Sequence, residues 1–279
     1  MSTTCAVDVG YGYVKAAAPH EATARFAAVF APEPADATWD QTFGAGGLDR
    51  MWWQPEGATP QLFWIGEAAR RRPGAQRPWA QAATERVGYT LLVDAALAAV
   101  MPPGTLNGTV DLVVGLPLGL FGSQKAAPQQ ALLGHTATVR RGREGPLALR
   151  IAQVTVLPQA AGAYYAAALA PDADPALTRE PAGVIDVGYR TTDYFVMEPD
   201  GQGGVRPVRT LSGLLDHGLI TVTEAVRQRL EDRTAQLLDP LRVEAALAQD
   251  PPALRQQGDI WSLGELQAEA AGRSGLGRR

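Results

Sequence analysis

Two short segments of the sequence repeat one pattern of residues that could bind phosphate and a metal ion. They are residues 6–15, AVDVGYGYVK, and residues 184–193, VIDVGYRTTD. In each, an apolar run ends in an aspartate, Asp8 or Asp186, and Val-Gly-Tyr follows. An aspartate at a strand end can order the water ligands of Mg²⁺, an ion that keeps much of its hydration and takes few carboxylates. Two such segments facing each other would hold phosphate groups from both sides.

The residues after each aspartate predict a tight turn between two strands, and both turns are candidate anion-binding sites. Gly10 and Gly12 flank the first turn, where we expect positive φ angles and close approach of a ligand to the backbone. In the second turn, the hydroxyls and backbone N–H groups after Gly188 are typical of an anion-binding nest. The candidate residues of the two segments are Asp8, Gly10, Tyr11, Gly12, Asp186, Gly188, Tyr189, Arg190, Thr191, Thr192 and Asp193.

The two segments, separated by more than half of the chain, indicate a duplicated domain rather than a short repeat. Hydrophobic periodicity predicts the elements that position them. Strands are predicted at 23–31, at 109–114, within 136–157, and at 183–187, 191–197 and 205–211, with a strand, a glycine turn and a short helix over 61–72. Helices are predicted over 84–101 and 122–134, and a further helix begins near Gln159. Another helix is predicted from near Thr221 to about Asp232, with Thr221 and Glu224 as a capping box. The last predicted helical region covers 239–272 and is broken at Pro251 and Pro252.

Composition and charge narrow the function classes. A net charge of −4 argues against DNA binding through the general surface and leaves contact through an adaptor or a local patch open. Cys5 is the single cysteine, which excludes a disulfide framework and favours a reducing compartment. The sequence shows neither a signal peptide nor a membrane-spanning apolar run, so we expect a cytoplasmic protein with no membrane partner. The histidines, His20, His135 and His217, lack the spacing of metal ligands.

Several segments in chain order resemble the actin-like family, most closely the ParM/StbA branch that segregates bacterial plasmids. They are AVDVGYGYVK, LFWIGEAA, LVVGLPLGLF, VLPQAAGAYY and GVIDVGYRTTDYFV, followed by the weaker LSGLLDHGLITVTEAV. The resemblance implies an α/β protein with a duplicated actin/ribonuclease-H-like fold, in which two βββαβα-type halves face a nucleotide cleft. It implies ATP or GTP with Mg²⁺ as cofactors, a domain I over residues 1–170, and a domain II over residues 171–279.

The resemblance also assigns roles to individual residues. Asp8 matches the carboxylate near the magnesium waters, and Lys15 resembles the lysine that reaches the phosphates. Gln159 matches the residue that orients the attacking water, and Asp186 matches a second metal- and water-ordering carboxylate. The matching residues of the phosphate loops are Gly10, Gly12, Gly188, Thr191 and Asp193. Three of the assigned residues also have a structural interpretation: Lys15 as a solvated edge residue, Gln159 as the first residue of a helix, and Asp193 as a structural carboxylate.

The chain departs from the family pattern after Asp232. The family has a further strand and a glycine-rich turn against the adenine, whereas no such strand is predicted here, and Gly272, Gly275 and Gly277 follow a helical stretch. We therefore expect an incomplete, truncated second half. The triphosphate-binding part should be present, and the adenosine half-site should be impaired or supplied by another chain.

Three functions remain open on the sequence. The first is an ATPase that forms ATP-dependent filaments by self-association and moves plasmid DNA through an adaptor protein, with hydrolysis if the adenosine half-site is completed. The second is a catalytically weak or inactive actin-like scaffold. The third is a small-molecule kinase or phosphatase of the same superfamily, which would need an acid or base of its own in a substrate pocket, and the sequence offers no such residue.

Overall fold

A computed structural model describes residues 2–33, 49–78, 85–256 and 258–274 of the chain. Gly275 and Gly277, named above in the departure from the family pattern, lie outside these residues. The chain divides into two compact units, one of residues 1–186 with 193–214 and one of residues 187–192 with 215–279. These units are defined by packing, and the division into repeats at residue 170 stays a prediction.

In the described residues of the first unit, nine strands form one mixed sheet. They are β1 (Thr3–Val9), β2 (Tyr13–Ala18), β3 (Ala22–Ala27), β4 (Phe30–Pro32), β5 (Arg50–Pro55), β6 (Gln61–Ile65), β7 (Gly108–Leu116), β8 (Thr136–Arg141) and β9 (Leu147–Pro158). Their order is β3-β2-β1-β7-β9-β8-β5-β6-β4. The helices of the unit are α1 (Glu85–Val100), α2 (Leu118–Gln124), α3 (Ala126–Leu132), α4 (Gln159–Ala168) and α5 (Ala176–Arg179), and short 3-10 turns lie at Ala69–Arg71 and Arg209–Leu211.

Helix α1 packs on one face of this sheet because both surfaces are apolar. Val7 and Val9 of β1 are 2% and 3% exposed, and Leu91 and Leu92 of α1 are fully buried in the same core. Burial of one such side chain contributes about 1.5–3 kcal/mol. This layer therefore fixes the face and register of β1, the strand that carries Asp8.

The centre of the sheet is parallel, and this places three chain segments at one edge. β1 pairs in parallel with β7, where Val7 lies opposite Val114, and β7 pairs in parallel with β9. The carboxyl ends of β1, β7 and β9 therefore lie side by side. In open α/β sheets, ligands bind beyond the carboxyl ends of parallel strands.

A second sheet follows, built from the second repeat. It contains β10 (Ala182–Val187), β11 (Thr192–Pro199), β12 (Val205–Pro207) and β13 (Gly213–Leu215), in the order β10-β11-β12 with β13 also paired to β11. Ala160 and Tyr164 of α4 pack with Phe195 and Met197 in a small core that also contacts Val184 of β10. One face of this sheet is thus covered by α4.

The second unit is mainly helical. It contains α6 (Leu219–Thr234), α7 (Pro240–Leu247), the antiparallel pair β14 (Ala253–Gln256) and β15 (Asp259–Ser262), and α8 (Gly264–Ser274). Val226 and Leu230 of α6, Val243 of α7, and Leu263 and Leu266 near α8 are buried together in its core. In the described part of the chain, no helix is both long and apolar enough to cross a membrane.

The prediction of helix over residues 239–272 is wrong in the middle, whereas the expected absence of the family's strand and glycine-rich turn against the adenine stays a prediction. Residues 253–256 and 259–262 form an antiparallel pair of strands with Leu254 opposite Trp261, and the two strands make a sheet of their own. Pro251 and Pro252 end the preceding helical region, and Gly258, with φ +95°, adopts a turn conformation that favours glycine. Four-residue strands are too short for their alternation to be distinguished from a helical pattern.

Three other elements differ from their predictions in detail. The capping box is wrong because α6 begins at Leu219, so that Thr221 lies inside the first turn, where its N–H donates to the Gly218 carbonyl. The helix predicted over 122–134 is divided into α2 and α3, since Pro128 has no N–H to donate to a carbonyl in the preceding turn. The strand predicted over 23–31 is divided into β3 and β4 by a γ-turn, in which Val29 N donates to Ala27 O at 2.8 Å.

A buried polar cluster that the sequence analysis did not predict joins α1 to the sheet. Asp94 of α1 is fully buried. Its Oδ2 accepts a hydrogen bond from Trp53 Nε1 at 2.7 Å and forms an ion pair with His135 Nε2 at 2.8 Å. Burial lowers the pKa of His135, but the hydrogen bond and charge of Asp94 outweigh this effect, so the pKa is raised above its ordinary value of 6.5. The charged imidazole is therefore favoured in the folded state.

We expect the folded protein to lose stability as the pH rises from about 6.5 through the raised pKa of His135. A group whose pKa is higher in the folded state stabilises the fold fully below its unfolded pKa, and this contribution disappears above the folded pKa. The His135→Gln variant should remove that pH dependence and cost about 2 kcal/mol, because it leaves the buried Asp94 without its ionic partner. Urea unfolding between pH 5.5 and 9 measures both effects, with His217→Gln, at an exposed histidine, as control. Equal pH profiles for all three proteins would contradict the prediction.

Candidate functional site

The carboxyl edge of the parallel strands brings Asp8, Lys15 and Gln159 together. Gln159 Nε2 donates to Asp8 Oδ1 at 2.5 Å, and Lys15 Nζ lies 3.7 Å from Asp8 Oδ2. Asp8 and Lys15 are opposite residues of β1 and β2, and Gln159 is the first residue of α4 directly after β9. The side chain of Lys15 is 58% exposed and that of Asp8 is 28% exposed. Both can therefore contact a ligand without any rearrangement of the core.

Asp186, near the end of β10, adds a second carboxylate to the same cavity. Asp8, Lys15, Gln159 and Asp186 all line a space of about 510 Å³. Burial raises the pKa of Asp8 above its ordinary value, and the charge of Asp186 raises it further, while Lys15 and the hydrogen bond from Gln159 oppose the rise. A cation bound near both carboxylates would relieve their repulsion and favour the charged form of Asp8.

This set of oxygen donors fits a magnesium ion that is held mainly through water. Across residues 2–33, 49–78, 85–256 and 258–274, no group of three or more His, Cys, Asp or Glu side chains is gathered as a metal site. Mg²⁺ needs no such cage, since it keeps several waters and is usually bound by one or two carboxylates together with the phosphates of its ligand. Asp8 and Asp186 could supply those carboxylates, and Lys15 could supply a cation for the phosphates.

Gly115 is part of the site, although the sequence analysis assigned it no role there. It lies near the end of β7, between the ends of β1 and β9. A Cβ at this position would lie 2.9 Å from Gln159 Cγ and 3.4 Å from Asp8 Oδ1. The absence of a side chain at residue 115 therefore lets Gln159 reach Asp8. The only sequence signal was the glycine at the strand end in GLPLG, which a turn would have explained equally well.

The two aspartates are followed by turns of the same geometry, and this confirms the internal repeat. Gly10 N donates to Tyr13 O at 3.0 Å, and Gly188 N donates to Thr191 O at 2.8 Å. A Cβ on either glycine would lie 3.0 Å from that carbonyl oxygen. The expectation of positive φ at Gly10 and Gly12 is wrong, since neither has one. At Gly10 the requirement for glycine comes instead from the close approach of the Tyr13 carbonyl.

The remaining residues of the first turn connect it to its surroundings. The Tyr11 carbonyl accepts a hydrogen bond from the Arg77 guanidinium, and the buried Gly12 accepts one from Ala28 N at 2.9 Å. These contacts hold the turn through its carbonyl groups. The assignment of Gly10, Tyr11 and Gly12 to ligand binding stays a prediction.

In the second unit, the turn of residues 188–192 is hydrogen-bonded to the start of α6. The Gly188 carbonyl accepts from Leu219 N at 3.1 Å, and the Tyr189 carbonyl accepts from Ile220 N at 2.7 Å. Gly218 makes this contact sterically feasible, because a Cβ there would lie 2.6 Å from the Tyr189 oxygen.

Two side chains of this second turn already have partners within the unit. Thr192 Oγ1 donates to the His217 carbonyl at 2.8 Å, and Arg190 lies 3.6 Å from Asp216 in a pair of exposed side chains. The exposed pair is weak and easily exchanged for another anion. The phosphate-binding role of Gly188, Tyr189, Arg190, Thr191 and Thr192 stays a prediction.

Asp193 has a structural contact that agrees with its structural interpretation. It is 3% exposed, and its Oδ2 accepts from the backbone N–H of Leu118, the first residue of α2, at 3.0 Å. Burial raises the pKa of Asp193, the hydrogen bond from Leu118 opposes the rise, and the charge of Asp186 adds to it. Asp193 therefore ties β11 to the segment that follows β7, and its role as a ligand-binding residue stays a prediction.

The fold and the paired aspartate turns define the class of actin-like α/β proteins, and comparison with known families agrees. Residues 6–162 match the N-terminal domain of actin-like proteins, and residues 184–270 match the C-terminal domain of the archaeal actin homologue MreB-like proteins. The first match alone covers more than half of the chain. The chain therefore belongs to the family of actin-like proteins. A search among curated proteins finds no match.

Solved structures share this fold over nearly the whole chain. The ParM of a 15-stranded filament from Clostridium botulinum superposes with a TM-score of 0.80 at 22% identity, covering 99% of this chain and 81% of that one. A non-polymerisable quadruple mutant of pCBH ParM gives 0.79 at 19% identity, with 99% and 82% covered. The archaeal actin homologue Ta0583 in complex with ADP gives 0.68 at 20% identity, with 98% and 79% covered. At these identities the likeness establishes the ParM-type fold.

Proposed function

We propose that this protein binds a nucleoside triphosphate with Mg²⁺ and forms nucleotide-dependent filaments of the ParM type. The observation that carries the proposal is the cluster of Asp8, Lys15 and Gln159 at the carboxyl edge of the parallel strands, with Asp186 on the same cavity. Relatives of the same fold support it, since one is solved as a filament and another with ADP.

Each residue of the cluster has a defined task in this proposal. Bound magnesium would supply positive charge to the phosphates, and Asp8 and Asp186 would hold its waters. The Lys15 ammonium neutralises phosphate charge, and Gln159 orients the attacking water through its side-chain amide. Phosphoryl transfer depends mainly on such positioning and charge stabilisation, and a covalent enzyme group is not required. The turn of residues 188–192 is assigned the second set of phosphate contacts, through its backbone N–H groups.

The cellular role that we propose is plasmid segregation in the cytoplasm. Filaments would grow by self-association of this chain and move plasmid DNA through an adaptor protein. The net charge of −4 supports an adaptor, because direct contact with DNA phosphates over a general surface requires a basic protein. ATP is the first nucleotide to test and GTP the second.

A fluorescent ATP analogue should bind the full chain only when Mg²⁺ is present, and Asp186→Ala should weaken this binding at least about tenfold, since one metal-holding carboxylate is lost. Titration followed by fluorescence anisotropy measures the affinity, and Asp172→Ala, at an exposed aspartate, is the control. Sedimentation with ATP and with ADP then tests for filaments. Binding that is independent of both Mg²⁺ and Asp186 would refute the assigned site.

A catalytically inactive actin-like scaffold is the second candidate function. The observation that favours it is that β10 pairs on only one side among the described residues, where no strand takes the place that β7 has beside β1. A folded chain that binds no nucleotide but still associates with itself would support the scaffold.

A further inference from the structure

Helix α6 begins without a capping side chain of its own, and the turn of residues 188–192 takes that place. Gly218, the residue before the helix, has no side-chain oxygen that could accept from the first N–H groups of α6. Leu219 N donates instead to the Gly188 carbonyl at 3.1 Å, and Ile220 N donates to the Tyr189 carbonyl at 2.7 Å. The start of the helix therefore depends on the position of the turn.

Gly218 is buried at the point where the turn and the helix start come into backbone contact. A Cβ on Gly218 would lie 2.6 Å from the Tyr189 oxygen and 2.6 Å from the carbonyl carbon of Arg190. Both atoms belong to the main chain, so a side chain at residue 218 fits only if the turn or the helix start moves. The φ angle of −158° at Gly218 is extended and suits any residue. The requirement for glycine comes from the close approach.

Two side chains of the turn contact the residues that precede Gly218. The buried Thr192 donates through Oγ1 to the His217 carbonyl at 2.8 Å, and Arg190 Nε lies 3.6 Å from Asp216 Oδ1. The ion pair is exposed and contributes little, whereas the hydrogen bond from Thr192 is partly shielded from water. Together with the two backbone hydrogen bonds, these contacts join the turn to residues 216–220 at four points.

Helix α6 connects these contacts to the core of the second unit. It has 16 residues, and its Val222, Val226 and Leu230 are packed in that core with residues of α7 and α8. Val222 lies in the first turn of the helix, directly after the residues that donate to the turn of residues 188–192. A displacement of the helix start therefore also disturbs the core, because closely packed interiors tolerate little movement.

We propose that Gly218 and the residues beside it position the second turn for phosphate, and that occupancy of the turn is transmitted through α6 to the core of the second unit. In this coupling, which rests on the proposed function, the backbone N–H groups of the turn bind phosphate. The Gly188 carbonyl shares a peptide unit with the Tyr189 N–H, and the Tyr189 carbonyl shares one with the Arg190 N–H. An anion that accepts from these N–H groups polarises both units and strengthens their carbonyls as acceptors for α6. Nucleotide binding and the order of the first turn of α6 therefore favour each other, since such a coupling is reciprocal.

Amide hydrogen exchange of the full wild-type chain, with and without MgATP, tests the transmission directly. Saturating MgATP should slow the exchange of the Leu219 and Ile220 amides at least about fivefold, because both donate to carbonyls of the occupied turn. Mass spectrometry of fragments that cover residues 216–226 measures this change.

Gly218→Ala should lower the affinity for MgATP at least about tenfold and remove most of the ligand-dependent slowing, because the added methyl group separates the turn from α6. Gly272→Ala is the matched control, since Gly272 lies on α8 of the same unit and a Cβ there would meet nothing within 4 Å. Without ligand, the core amides of Val226 and Leu230 should exchange equally slowly in both variants. A merely structural defect at residue 218 would instead speed the exchange of these core amides.

Thr192→Val is a second, milder variant that keeps the shape of the side chain and removes only the donor to the His217 carbonyl. It should lower the affinity for MgATP about threefold and reduce the slowing at Leu219 and Ile220. If Gly218→Ala does not fold, this variant and the wild-type exchange decide the question.

Two results would overturn the coupling and leave the proposed function intact. One is MgATP binding that depends on Asp186 but leaves the exchange of Leu219 and Ile220 unchanged. The other is a folded Gly218→Ala variant that binds MgATP as tightly as Gly272→Ala does. A wild-type chain that binds no MgATP would overturn the coupling and the proposed function together.

Discussion

Replacement of Asp8 by asparagine is expected to lower the affinity for magnesium–ATP at least about a hundredfold, as loss of a charged ligand at a partly buried site costs several kcal/mol. Asparagine keeps the size of the side chain and the oxygen that accepts from Gln159 Nε2, so the 2.5 Å hydrogen bond of the wild type can persist. The change removes only the negative charge that would hold the magnesium waters and pair with Lys15. Isothermal titration with MgATP measures the loss, and ATP turnover should fall with it.

The raised pKa of Asp8 also predicts the stability of the Asp8→Asn variant, so a loss of MgATP affinity can be distinguished from misfolding. Since burial favours the protonated carboxyl, the charge of Asp8 costs folding stability at neutral pH, and Asp8→Asn should unfold at the same temperature as the wild type or slightly above it. Asp111→Asn is the control, because Asp111 lies on the neighbouring β7 and accepts a hydrogen bond from Ser2 Oγ outside the site. A variant that unfolds earlier, or one that keeps full affinity, would contradict the assignment.

Wild-type affinity should also depend on pH in a defined direction. Protonation of Asp8 would remove the charge that we propose holds the magnesium waters, so binding should weaken as the pH falls towards the pKa of Asp8. Because that pKa is raised above 3.8, the loss should begin at a higher pH than for an ordinary aspartate. Asp8→Asn should abolish this part of the pH profile.

The sequence was sufficient to predict the paired turns because their requirement is local. Gly10 and Gly188 each directly follow an Asp-Val pair, and in both a Cβ would lie only 3.0 Å from the carbonyl oxygen three residues later, a closer contact than most side chains make. A local string therefore predicts a local geometry, and two copies of it predict a duplicated fold. The strands that lead to this edge were predicted from hydrophobic periodicity, since the strands predicted at 109–114 and within 136–157 correspond to β7, β8 and β9.

The features that escaped prediction depend on residues far apart in the chain. Gly115 allows the contact between Gln159 and Asp8 because β7 lies between β1 and β9. The residues next to Gly115 in the sequence do not indicate that the Gln159 side chain lies against it. His135 was dismissed for lack of metal-ligand spacing, yet Asp94, on a helix distant in sequence, gives it a buried ionic partner. The antiparallel pair of β14 and β15 was missed because each strand has only 4 residues.

Replacement of Gly115 by alanine is expected to slow ATP hydrolysis about a hundredfold while the affinity for MgATP changes much less, because the misplacement of a single positioning group costs about that much in rate. The new methyl group would lie 2.9 Å from Gln159 Cγ, a distance that real Cβ contacts do not tolerate. Gln159 would then have to withdraw from Asp8 and could not take the water-orienting role that we propose for it. Single-turnover hydrolysis, measured beside equilibrium binding, separates the two effects.

Gly162→Ala is the matched control for this substitution. Gly162 lines the same cavity and lies on the helix that Gln159 begins, but a Cβ there would meet nothing within 4 Å. Alanine at residue 162 should therefore keep wild-type hydrolysis and stabilise α4 by roughly 0.5–1 kcal/mol. Equal losses in the two variants would show that the site tolerates no added methyl group anywhere and would remove the special role of Gly115.

A double substitution tests whether Gly115 acts through Gln159. If the alanine at residue 115 slows hydrolysis only by displacing Gln159, then Gly115→Ala with Gln159→Ala should be no slower than Gln159→Ala alone, since groups that act as one unit are not additive. If the two losses multiply, the added methyl group acts on Asp8 directly, which lies only 3.4 Å from the same Cβ position. The first result would establish the order of dependence at this edge, in which the glycine of β7 sets the position of the glutamine and the glutamine sets the position of the water.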